Sequence, residues 1–145
     1  LIRSVHMFRS EQGLSLIQIL ILVAAFGLLI GGGFLLLNNE KAKTRDAKRL
    51  SDITRIQAAF EFLYNETASY TAAAQDGCNQ AGMLVSQCNL SAYIPAIRQF
   101  RDPGKYQYVV TTVPGDDTYA VTFQLEKEYY NLAAGKHVLT QEGIQ

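Results

Sequence analysis

Polar and apolar positions divide the chain into three blocks. Residues 1–13 mix charged and apolar side chains, and residues 14–37 are almost wholly apolar. From Ile19 to Leu37 there is no charge and no Asn, Gln, Ser or Thr. As a helix rising about 1.5 Å per residue, that run covers roughly 28 Å, close to the ~30 Å hydrocarbon core of a bilayer. Beyond it the pattern turns periodic. Between Glu40 and Glu66 the apolar positions Ala47, Leu50, Ile53, Ile56, Phe60 and Leu63 recur at steps of three and four, one face of an amphipathic helix. Lys41, Arg45, Lys48, Arg49, Arg55 and Glu61 fall on the other face and read as solvated. No proline interrupts Leu14–Glu66, so the pattern predicts one helix of about 50 residues. Its first half is membrane-like and its second half supports a polar domain.

The period then changes. Residues 67–90 are rich in Ala, Gln, Asn, Gly and Ser and read as a loop, with room for a short helix. Tyr106–Val113 and Thr118–Leu125 alternate, and Pro114-Gly115-Asp116-Asp117 between them is a turn sequence, so the two runs predict a hairpin. Tyr106, Tyr108, Val110, Val121, Phe123 and Leu125 are expected to face the helix. A third strand is expected near Lys136–Thr140, after the Ala134-Gly135 turn. The expected fold class is α+β: one long N-terminal helix packed on a small antiparallel sheet. Its blocks are a leader (1–13), an apolar helix (14–37) and a head (38–145) made of helix 40–66, loop 67–105 and sheet 106–141.

Composition narrows the function classes. The 108 residues from Asn38 to Gln145 suffice for one domain with a single core. Thirteen basic and thirteen acidic residues give zero net charge, which argues against nucleic acid binding. The stripe Lys41–Arg49 therefore reads first as a solvated helix face, ahead of contacts with anionic lipid, neighbouring subunits or DNA. No nucleophile motif, phosphate loop or metal-binding helix motif occurs, so no enzyme activity and no cofactor are expected. Asp116, Asp117, Glu126 and Glu128 lack the spacing of a calcium loop and read as solvated carboxylates. His137 reads as a surface or packing residue. Cys78 and Cys88 make a poor zinc pattern, with only His6 and His137 as further soft donors. A disulfide closing this short loop is favoured over two free thiols, and it would place the head in an oxidising compartment.

The apolar run is longer than a secretory signal core, and Leu-Leu-Leu-Asn-Asn-Glu after it lacks the small residues of a cleavage site. A retained anchor is expected. Lys and Arg are more numerous after the run than before it, which by count alone would keep the head in the cytoplasm. The first residue is Leu, so translation starts there by an alternative codon or at Met7.

The N-terminal layout resembles the type IV pilins and pseudopilins. That family's motif is Gly, an apolar residue, Ser or Thr, Leu, an aliphatic residue and Glu, ahead of an apolar helix. Here it reads Gly13, Leu14, Ser15, Leu16, Ile17 and Gln18. Arg45–Ile53, Ala58–Asn65, Ala92-Tyr93-Ile94-Pro95 and Asp102-Pro103-Gly104 are similar to the helix and sheet approach of a bacterial pseudopilin. The resemblance implies a pilin-like fold, cleavage between Gly13 and Leu14 by a prepilin peptidase, and N-methylation of Leu14. It also implies an extracytoplasmic head, reversing the charge count, with a cytoplasmic N-terminus and a cell-surface or periplasmic filament after assembly. The implied partners are other pilin or pseudopilin subunits, the peptidase, the inner-membrane platform with its motor ATPase, and the membrane. The implied machine is a pilus, a type II secretion pseudopilus or a DNA-uptake apparatus.

Gln18 departs from the motif. The usual Glu supplies a counter-charge for a neighbouring amine inside the filament, and Gln supplies only a neutral hydrogen bond, about half as strong. Gln18 thus points to a minor or tip-proximal subunit. Gly27 and Gly31, four residues apart, suit close helix approach, and Gly31, Gly32 and Gly33 mark a segment expected to soften in assembly. The competing expectation is a membrane-anchored, non-polymerising surface module that binds DNA or another polymer.

Overall fold

The computed structural model describes residues 15–145. The chain divides into two units, the first ending at Asn38 and the second Asn39–Gln145. Helix α1, Leu16–Thr67, supplies the described part of the first unit and opens the second. The unbroken helix expected from the absence of proline is present.

In the second unit, α1 is followed by a short helix α2, Thr71–Ala74, and two 3-10 turns, Val85–Gln87 and Ile97–Gln99. Four strands follow: β1 Val109–Thr112, β2 Ala120–Leu125, β3 Gly135–Thr140 and β4 Gly143–Ile144. They form one antiparallel meander in the order β1-β2-β3-β4. Val121 lies opposite Val110 on one side and Leu139 on the other, and a bulge shifts the register between Val110 and Thr112. The architecture is α+β.

The core forms where α1 meets the sheet. Ile53, Ile56, Phe60 and Leu63 pack with Val110, Val121, Phe123, Leu125 and Leu139. Of the six strand residues expected to face the helix, five are buried; Tyr106 lies before β1 and is half-buried. Phe60 stacks on Tyr119 at 3.9 Å between centroids, with Tyr70 edge-on to both. Such aromatic contacts each add about 0.5–1.5 kcal/mol beyond area burial.

The connecting segment is a structured cover. Cys78 and Cys88 are bonded to each other and wholly buried. Asn89 donates its N–H to the Ala73 carbonyl beneath Gly77. A Cβ on Gly77 would lie 2.6 Å from the Gln87 carbonyl oxygen, so only glycine lets the backbones cross. Residues 82–85 also line β1: Gly82 donates to the Val110 carbonyl, Val85 to Tyr108, and Val110 returns a bond to Met83. The hairpin turn is tied back to the end of α1, where Tyr70 donates to the Gly115 carbonyl at 2.9 Å.

One expectation about α1 fails. Arg49 is assigned to the solvated face by its charge, yet it is fully buried, as is Asp46, and Asp52 nearly so. The buried stripe of α1 runs Ala42, Asp46, Arg49, Asp52, Ile53, Ile56, Ala59, Phe60 and Leu63. Its spacing is helical throughout, but its first turns are ionic. Partners from other elements make that burial tolerable.

Candidate functional site

Two features could carry function: the apolar first part of α1 and an ionic cluster in the head. On α1, Leu16, Ile17, Leu20, Val23, Phe26, Leu28, Leu29 and Ile30 all lie open, Leu16 at 81 % exposure. At roughly 25 cal/mol per Å2 of apolar surface, such a surface in water is strongly unfavourable. By length and composition the segment can cross a membrane. A Cβ at Gly27, Gly31, Gly32 or Gly33 would meet nothing within 4 Å. Among the described residues these glycines serve no packing need, and α1 stays helical through all four.

The start of α1 explains Gln18 locally. Ser15 caps the helix: its carbonyl accepts from the Gln18 N–H at 2.8 Å and from the Ile19 N–H at 3.2 Å. The Gln18 Oε1 in turn accepts the Ser15 N–H at 3.0 Å. That is half of a capping box, which satisfies an otherwise orphaned donor at the helix start. Gly13 and Leu14, the expected processing site, lie outside the described residues.

The ionic cluster centres on Arg49. Its Nη2 donates to Asp102 Oδ1 at 2.8 Å, and its Nη1 to Asp46 Oδ1 at 2.6 Å and Glu126 Oε1 at 2.8 Å. Its Nε completes a bidentate pair with Asp102. Arg45 forks onto Glu126 from the same helix. Asp46 also accepts the backbone N–H groups of Glu126, at 3.0 Å, and Lys127, at 2.9 Å. The cluster thus ties α1 to the residues just after β2 and to the loop before β1. Asp102-Pro103-Gly104 makes the close approach: the Gly104 N–H donates to Asp102, and a Cβ there would lie 2.9 Å from Arg49 Nη2. Next along α1, Asp52 accepts from Lys48 and from the buried Tyr108 hydroxyl.

Burial disfavours the Arg49 cation, but hydrogen bonds to Asp102, Asp46 and Glu126 outweigh it and raise its pKa. The Arg45 hydrogen bond, helped by Arg49, holds Glu126 down at about 2 despite partial burial. Burial opposes ionisation of Asp102, yet Arg49 and the Gly104 and Tyr106 N–H groups leave it below its ordinary value. Burial raises Tyr108 and Tyr119 well above the usual tyrosine range. Every oxygen of the cluster is committed to a cation or an N–H group, so its chemistry is that of a clasp. Glu126, weighed above as a calcium ligand, is engaged by two arginines. His137 packs by Phe123, its Nε2 2.8 Å from the Ala133 carbonyl oxygen.

The clasp escaped the sequence pattern because polarity was read as exposure. The signal was available: Asp46, Arg49 and Asp52 sit at steps of three in phase with Ile53, Ile56 and Phe60. The structure leaves Gly27, Gly31, Gly32 and Gly33 on one bare helix and brings Cys78 and Cys88 together in the head. Compared with protein-family models, with curated proteins and with solved structures, the chain matches none.

Proposed function

We propose that this chain is a structural subunit of a type IV pilus or type II secretion pseudopilus, minor or tip-proximal. It assembles through its hydrophobic N-terminal helix after leader removal and displays the head outside the membrane. The observation that carries this reading is the bare apolar stretch of α1. It bears glycines that no described neighbour requires, and it leads into a helix that supports a disulfide-bonded α+β head. A bilayer can cover such a surface first, and like helices afterwards. The pilin-like fold, the cytoplasmic N-terminus and the peptidase, platform and filament partners belong to this proposal.

Mass spectrometry of the protein from its native cells is expected to show a mature chain beginning at N-methylated Leu14. Replacing Gln18 by Glu is expected to raise its share in sheared filaments severalfold. Glutamate caps a helix start as well as glutamine does, so a gain would report contacts between subunits. A retained leader, with no filament incorporation in either form, would overturn the proposal.

The second reading is a membrane-anchored module that does not polymerise. The Ser15–Gln18 bond favours it, because it gives Gln18 a role inside its own chain. Unchanged incorporation of Gln18→Glu together with a monomeric state in the membrane would select it.

A further inference from the structure

A concavity of the head, about 530 Å3, lies between the 3-10 turns and the segment leading into β1. Its size is within the usual range for small-ligand sites. Arg98, Arg101 and Lys105 line it, and none of the three forms a salt bridge among the described residues. Its only lining carboxylate, Asp102, is held by Arg49 and by two backbone N–H groups. The concavity therefore presents three uncompensated cations, in a chain whose net charge is zero. Concave sites lined by one sign of charge concentrate ligands of the other.

The remaining wall is neutral and polar. Ser86, Gln87 and Gln107 contribute hydroxyl and amide groups that both donate and accept. The aromatic lining offers no open stacking platform: Phe100 and Tyr108 belong to the core, and Tyr106 carries Arg49 at 5.1 Å and Lys105 at 5.5 Å from its ring centroid. A nucleic acid strand would need free ring faces for its bases. Anionic groups on a scaffold dense in hydroxyls need only cations and amides.

We propose that this concavity binds an acidic oligosaccharide, its carboxylate or sulfate groups paired with Arg98, Arg101 and Lys105 and its hydroxyls hydrogen-bonded to Ser86, Gln87 and Gln107. The site is complete within one head, so it stands apart from the question of polymerisation.

The test uses the full chain in zwitterionic detergent micelles at low salt, titrated calorimetrically with three probes: a sulfated oligosaccharide, an oligouronate and a single-stranded oligonucleotide. Both saccharides are expected to bind, and the triple variant Arg98→Gln, Arg101→Gln, Lys105→Gln to lose at least about tenfold in affinity, as for lost charge-assisted hydrogen bonds. The control Lys41→Gln, Lys43→Gln, Lys127→Gln removes the same charge from exposed positions elsewhere and is expected to change affinity less than about twofold. All six side chains are exposed, and unchanged melting of both variants verifies that the fold persists. Absence of saccharide binding, an equal loss in the control, or an oligonucleotide bound as tightly through the same three residues would each overturn the proposal.

Discussion

Arg49 and Tyr119 show how differently two buried polar side chains behave. The Arg49 guanidinium meets Asp46, Asp102 and Glu126. Removing it leaves Asp46 and Asp102 with no counter-charge, a change that typically costs about 3–5 kcal/mol. Arg49→Met is therefore expected to lower the unfolding free energy of the head by that order in a denaturant titration, and a loss below about 1 kcal/mol would show the cluster to be dispensable. Tyr119 is the opposite case: its hydroxyl is buried with no hydrogen-bond partner among the described residues. Its ring earns its place by stacking on Phe60, while its oxygen is only desolvated. Tyr119→Phe is expected to leave stability unchanged or to raise it by up to about 1 kcal/mol in the same unfolding assay. A clear loss would mean that the oxygen has a partner in solution.

At the level of the elements, α1 ends without help from its sequence. Ala68 follows the helix with φ of 53°, a left-handed conformation that glycine adopts without strain. Its N–H donates to the Tyr64 carbonyl at 2.7 Å, closing the last turn. Ala68→Gly is expected to stabilise the head by about 0.5–1 kcal/mol, read as a higher melting midpoint. A drop would mean that the Ala68 methyl makes a contact worth more than the strain.

This helix end also marks where pattern reading runs out. The continuity of α1 was legible because no proline intervenes. The β1–β2 hairpin was legible from alternation on either side of Pro114-Gly115, although the strands prove shorter than the runs that predicted them. Strand β4 was not, since two residues cannot display a period. The cover over residues 67–105 was only partly legible: the Cys78–Cys88 bond followed from residue type, but the backbone crossing at Gly77 depends on tertiary approach. The clasp was legible only as phase, Asp46, Arg49 and Asp52 falling in step with the apolar stripe, because the Asp102 and Glu126 partners that make Arg49 tolerable inside lie more than 50 residues away in sequence. The bare apolar stretch, by contrast, could be read outright, since none of the described residues covers it.

For the whole molecule, the clasp converts acidity into loss of fold. Glu126 is depressed from an ordinary 4.5 to about 2, and Asp102 is depressed below 3.8. A carboxylate depressed on folding contributes stability that is complete above its unfolded value and is lost as pH falls through its folded value. The head is therefore expected to keep its full stability down to about pH 4.5 and to lose on the order of 2 kcal/mol toward pH 2 through Glu126. Thermal melts across that range check this, and Glu126→Gln should flatten the acid limb while lowering the neutral-pH midpoint. An equally steep limb in that variant would place the acid sensitivity elsewhere.

The sheet has a consequence of its own at this scale. One margin is partly lined by the backbone of residues 82–85, and the other carries the two-residue strand β4. Open strand margins are where proteins recruit foreign chains into ladders and clump. These short, partly lined margins leave the head little such template, so copies crowded side by side find little β-ladder by which to fuse. Any ordered association among them is left to side-chain surfaces and to the bare helix.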